Sequence, residues 1–100
     1  MMQGTTPTHT FVIPFETSII DNVRVLYAQN DKVILTKNKE DCTLDDNTII
    51  TRLTQEETFL FDNKSPVKIQ LRVKTVGGDA LITRKYTVSI GKCLDKEVLP

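Results

Sequence analysis

The chain has no tryptophan, one histidine, two cysteines and no surplus of either charge. Lysine plus arginine number 13 and aspartate plus glutamate number 13, so no global field draws it to DNA or anionic lipid. No apolar stretch approaches the ~20 residues that a membrane helix needs. The opening MMQGTTPTHTF lacks a basic segment followed by an apolar run, which argues against a secretory signal. Synthesis in a reducing cytosol is the expectation, with Cys42 and Cys93 as free thiols that pack like small hydrophobes. Two cysteines so far apart make no metal-site pattern.

The residue types that carry chemistry are equally sparse. His9 sits among threonines with no acid or thiol near it in sequence, and reads as a surface residue. Ser89-Ile90-Gly91 is a strand end, not a nucleophile elbow. Gly77-Gly78 is followed by no Gly-Lys-Ser and opens no helix, so it is not a phosphate loop. Asp41, Asp45 and Asp46 lack the alternating spacing and the glycine of a calcium loop, and read as a solvated turn. Glu56 and Glu57 are sequence neighbours, which do not face one another on a helix. No catalytic, cofactor-binding or metal-binding residue is expected, and the chain reads as a non-enzyme.

What is present is strand signal. One hundred residues make one domain with a modest core, and 39% apolar against 26% charged residues fits an ordinary globular chain. Alternation runs through Thr8–Phe15, Val23–Ala28, Val33–Leu35, Cys42–Leu44, Ile49–Leu53 and the long stretch from Val67 to Ile90. Thr54-Gln55-Glu56-Glu57 is a capping box with room for a single helical turn, which predicts a crossover between sheets with Phe59 or Phe61 plugging the core. At Gln29-Asn30-Asp31, matching apolar residues across the buried face predicts a three-residue loop that pairs Tyr27 with Val33, with Asp31 left-handed. Gly77-Gly78 predicts a two-residue hairpin that pairs Val67 with Val88, Ile69 with Tyr86 and Val73 with Ile82. That register sets Leu71 opposite Arg84.

One surface stands out. Lys68, Gln70, Arg72, Lys74 and Lys85 share the outward face of this hairpin with no acid on the same two strands. A nucleic-acid platform would interleave aromatics for base stacking, and none is there. The face therefore reads as solvent-facing or as a contact with other protein subunits, for which the acidic loop Asp41–Asp46 of a neighbouring copy is a suitable partner. Zero net charge leaves little repulsion between copies and permits a homo-oligomer.

The runs GTTPTHTF, VRVLYAQN, LTQEETFLF, VKIQLRV, GGDAL and CLDKEVL, with PF and DC between them, resemble a set of small uncharacterised proteins. These are encoded by prophages of gut Firmicutes, often among virion genes. The resemblance spans nearly the whole chain. That set has no established activity, so no catalytic residue carries over. It implies synthesis in a bacterial host cytoplasm and then incorporation in a tail or baseplate, where small immunoglobulin-like sandwiches serve as decorations and adaptors.

The expected architecture is all-β: a single-domain antiparallel β-sandwich, immunoglobulin-like, of about seven strands with one short helical turn near 54–58. A small barrel is the competing arrangement. Residues 1–7 are read as a flexible arm, 8–94 as the sandwich and 95–100 as a C-terminal tail. The expected function is a non-enzymatic structural or assembly protein of a phage particle that binds protein subunits through its sheet edges, its cationic face or its arm. The alternative is a carbohydrate- or host-surface-binding module, against which stands the lack of a flat aromatic platform.

Overall fold

The computed structural model describes residues 1–100. Its central strand is β6, Val67–Thr75, where Val67, Ile69, Leu71, Val73 and Thr75 are buried and the residues between them face outward. A strand sends alternate side chains to opposite faces, so period-two hydrophobicity becomes a buried face and a wet one. β6 pairs on one side with β2, Ile20–Gln29, and on the other with β7, Ala80–Ile82, and β8, Tyr86–Val88. β3, Lys32–Asn38, completes this sheet beyond β2, giving the order β3-β2-β6-β7 with β8 continuing the edge. The second sheet has the order β1-β5-β4, from Thr8–Val12, Thr48–Arg52 and Cys42–Asp45. All strand pairs are antiparallel.

The two sheets remain separate, which settles sandwich over barrel. Phe11, Ile13, Ile49 and Leu53 from one layer meet Val23, Val25, Tyr27, Ile69 and Leu71 from the other. Each fully buried aliphatic side chain contributes roughly 1.5–3 kcal/mol of transfer free energy. Hairpins join β2 to β3, β4 to β5 and β6 to β7, while the chain changes sheets after β1, β3 and β5. In immunoglobulin domains the strands B, E and D lie in one sheet and C, F and G, with C′ in the variable type, in the other. This chain has that order: β1 stands at B, β2 and β3 at C and C′, β4 and β5 at D and E, and β6 and β7–β8 at F and G. No strand stands at A, so β1 is an edge.

The capping box forms as the sequence predicts. Thr54 N–H donates to Glu57 Oε1 at 2.8 Å, and Glu57 N–H donates to Thr54 Oγ1 at 3.1 Å. The helix α1 is one turn, Gln55–Thr58, and it carries the chain from β5 to β6. Phe61 follows it into the core at 1% exposure and packs on Tyr27.

Both hairpin registers differ from the sequence expectation. At the β2–β3 turn Gln29 pairs with Lys32, so the loop is the two residues Asn30 and Asp31, at φ 51° and 62°. Two successive left-handed residues make a type I′ turn, the one that matches strand twist. A bulge at Ile34 then resets the register, placing Tyr27 opposite Leu35 and Val25 opposite Lys37. At the Gly-Gly turn the loop is three residues: Thr75 N–H donates to Asp79 O at 2.8 Å, and Gly78 holds φ 91°. Val73 therefore faces Leu81 and not Ile82, while a bulge over Thr83–Lys85 restores the expected pairs of Ile69 with Tyr86 and Val67 with Val88. Leu71 bonds to Thr83 and not to Arg84, whose guanidinium lies 5.1 Å from the Tyr86 ring centre.

The segment read as a loose arm is fastened at its start. Gln3 N–H donates to Gly91 O at 3.0 Å and Gly91 N–H to Met1 O at 2.8 Å, a short parallel contact. The Gln3 amide nitrogen donates to Phe61 O at 2.8 Å, and Gly4 N–H donates to Thr58 Oγ1 at 2.8 Å. Gly4 needs its φ of 79°, and a Cβ there would meet Phe59 Cζ at 3.1 Å. In the tail, Leu99 N–H donates to Gln55 Oε1 at 2.8 Å.

Candidate interaction face

The β2–β6 pairing builds the outer face of the five-stranded sheet. Side chains of Lys68, Arg72 and Lys74 project there from β6, with Gln70 half-buried among them. Lys68 Nζ donates to Thr87 Oγ1 at 3.0 Å and the Gln70 amide to Thr83 O at 2.9 Å, which ties these two to the β7–β8 edge. Lys85 is exposed but lies in the irregular segment between β7 and β8, outside the ladder. Four of the five predicted residues thus share one strand face, and the fifth sits beside it.

The sequence reading missed Arg24. On β2 it stands directly opposite Arg72, and Asn22 stands opposite Lys74. Like charges facing across a ladder are destabilising. No acid relieves them, because the one ion pair in the molecule is Lys37 with Glu57. The β6–β7 register adds Ile82 opposite Arg72 and Ala80 opposite Lys74, so an exposed apolar rim borders the cations. A depression of 270 Å³ lies at this end, lined by Asn22, Arg24, Arg72, Lys74 and the apolar Ala80 and Leu81. Arg24 carries a signal in the alternation of Val23, Arg24 and Val25, but its meeting with Arg72 depends on a pairing of strands far apart in sequence.

The interior holds the remaining reactive groups. His9, expected at the surface, is half-buried, and its Nδ1 lies 2.8 Å from the Tyr27 hydroxyl. It sits on β1 at an inward position, so the strand's alternation turns it toward the core with Phe11. Burial and the N-terminal ammonium push its pKa down, and it stays neutral at pH 7. Burial pushes the Tyr27 hydroxyl and the Cys42 thiol up, which keeps both protonated and weakly nucleophilic. Burial works against ionisation of Glu57, but Lys37 and the Thr54 amide outweigh it and hold the carboxyl below its ordinary range. Cys42 and Cys93 are free thiols. No group of three or more His, Cys, Asp or Glu is placed to hold a metal ion, and no helix is long and apolar enough to cross a membrane.

The acidic turn is used locally. Asp41 Oδ2 accepts from Asn38 N–H at 2.9 Å and caps the short 3₁₀ turn Lys39–Asp41, while Asp46 takes φ 48° in the β4–β5 turn. A flat sugar platform is missing as well. Tyr27 is buried, and Tyr86 has Phe11 on one side and Arg84 over its ring.

No family model and no curated protein matches the chain. Among solved structures it is similar to the V domain of amphioxus IgVJ-C2, at 12% identity and a TM-score of 0.35, over 90% of this chain and 96% of that one. At that score the immunoglobulin-like assignment rests on the strand order and not on this likeness.

Proposed function

We propose that the protein is a non-enzymatic structural or assembly module that binds an acidic surface of another protein subunit through the outer face of β2 and β6, in the setting of a phage tail or baseplate. The facing pair Arg24 and Arg72, with Lys68 and Lys74 beside it and none of the four in an ion pair, carries this reading. A partner's carboxylates would relieve the repulsion and form bidentate contacts with the arginines. The exposed Ile82 adds an apolar contact at the border. The phage setting comes from the sequence resemblance. Immunoglobulin-like sandwiches serve widely as interaction modules, which agrees with the reading as fold-level analogy.

The test is the composition of purified particles. Mass spectrometry is expected to find the chain in the particle, and the double variant Arg24→Glu, Arg72→Glu is expected to be lost from it while folding normally. Retention of that variant at wild-type level would remove the cationic face from the proposal. Absence of the wild-type chain from every particle would remove the phage setting.

A further inference from the structure

Three of the four sheet edges carry devices that discourage pairing with another chain. β3 has Lys32 and Lys37 and a bulge at Ile34. β4 is four residues long and ends on Asp45. The β7–β8 edge is broken by the segment Thr83–Lys85, with Arg84 and Lys85 on it. Short strands, lysines and bulges are the usual guards of an edge. β1, Thr-His-Thr-Phe-Val, has neither charge nor bulge.

The free side of β1 can be read residue by residue. Leu53 N–H donates to Pro7 O at 3.0 Å and Ile13 N–H to Asn47 O at 2.8 Å. The odd-numbered residues therefore turn their backbone groups to β5, and Thr8, Thr10 and Val12 turn theirs away from the sheet. Beside this edge lies a groove of 440 Å³, with Phe11, Ile69, Tyr86 and Val88 among its lining. It is the place where strand A would lie. The chain cannot fill it, because only Gly4–Pro7 link the fastened Gln3 to Thr8.

We infer that a second copy of this chain fills it, by antiparallel pairing of β1 with β1 across a two-fold axis at Thr10. That register sets Thr10 opposite Thr10 of the partner, Thr8 opposite Val12, and His9 opposite Phe11. The outward backbone groups of Thr8, Thr10 and Val12 then pair with one another. The strand is uncharged, so self-pairing brings no like charges together, and the outer face gains β-branched cross-strand pairs. Val12, 74% exposed, gains a cross-strand neighbour. A two-fold axis closes the assembly at two copies, since each uses its one unguarded edge. Zero net charge on each copy leaves association unopposed. This surface is distinct from the cationic face.

Sedimentation from micromolar to millimolar concentration tests it. Wild type is expected to reach twice the 11.3 kDa chain mass, with amide exchange at Thr8, Thr10 and Val12 slowing as the dimer fills. Thr10→Lys and Thr10→Glu, each setting like charges on the axis, are each expected to weaken the dimer at least about a hundredfold. An equimolar mixture of the two is expected to recover it, which a misfolded variant would not do. A wild type that stays monomeric throughout overturns the inference, and leaves the edge to a foreign strand. A dimer that survives Thr10→Lys assigns the contact elsewhere, and a mixture that stays monomeric rejects the register. Arg72→Glu leaves the mass unchanged, so failure here does not touch the cationic-face proposal.

Discussion

The β2–β3 hairpin and the β6–β7–β8 edge each hold a bulge, and the two bulges treat the core differently. In β2–β3 the extra residue, Ile34, is partly buried and packs against the core. It slides Leu35 opposite Tyr27 and brings Lys37 inward to Glu57, 2.6 Å away. In β6–β7–β8 the extra chain loops outward with Arg84 and Lys85, and leaves Ile82 62% exposed. Both bulges interrupt an edge and guard it, but the one in β3 also turns side chains inward, whereas the one beyond β7 loops away from the core. The turn alone sets neither register.

The largest effect should separate the two hairpins outright. Tyr27→Ala empties a fully buried site and is expected to cost about 3–5 kcal/mol by urea denaturation, while Ile82→Ala stays within about 0.5 kcal/mol. Equal losses would erase the distinction between the inward-packed hairpin and the outward-looped one. Next comes the inward lysine. Glu57→Ala strands a buried ammonium and removes a cap, at about 2–4 kcal/mol, whereas Lys37→Met is close to neutral. If both variants lose the same, the ion pair does not anchor the first bulge. Turn substitutions follow. Gly78→Ala is expected to lose about 1 kcal/mol at φ 91°, and Asn30→Gly to change stability by only a few tenths at φ 51°.

The pH response is the gentlest probe. The neutral form of His9 is favoured in the folded state, so its contribution is complete above its ordinary pKa of about 6.5 and is lost as pH falls from there toward the lowered folded value. His9→Gln should flatten that slope. Glu57 acts lower on the scale: its contribution is complete above about pH 4.3 and is lost as pH falls through the depressed folded value. Glu57→Gln should remove that second loss and leave the first.

Alternation and the Thr54–Glu57 box made the strands, the crossover turn and a phenylalanine plug at Phe59 or Phe61 legible in the sequence, because each depends on residues close together in the chain; packing then selects Phe61. The strand face with Lys68, Arg72 and Lys74 was legible for the same reason. Arg24 opposite Arg72 was not, since that pairing joins β2 to β6 across the length of the fold. The inward His9 was misjudged because its sequence neighbours are threonines, while its partner, Tyr27, comes from the opposite sheet. The bulges escaped for a further reason: apolar matching with unbroken strands admits only whole hairpins, and both hairpins here are broken once.

The contact of Met1–Gln3 with Ser89–Gly91 has a consequence for the order of folding. Hairpin partners stand a few residues apart, but the Met1 ammonium reaches Ser89 O across 88 positions. Closing so wide a span requires most of the chain to be in place already. The clasp is therefore expected to settle last in refolding and to open first on warming, and amide exchange checks this: the Gln3 amide should lose its protection ahead of the β2–β6 ladder.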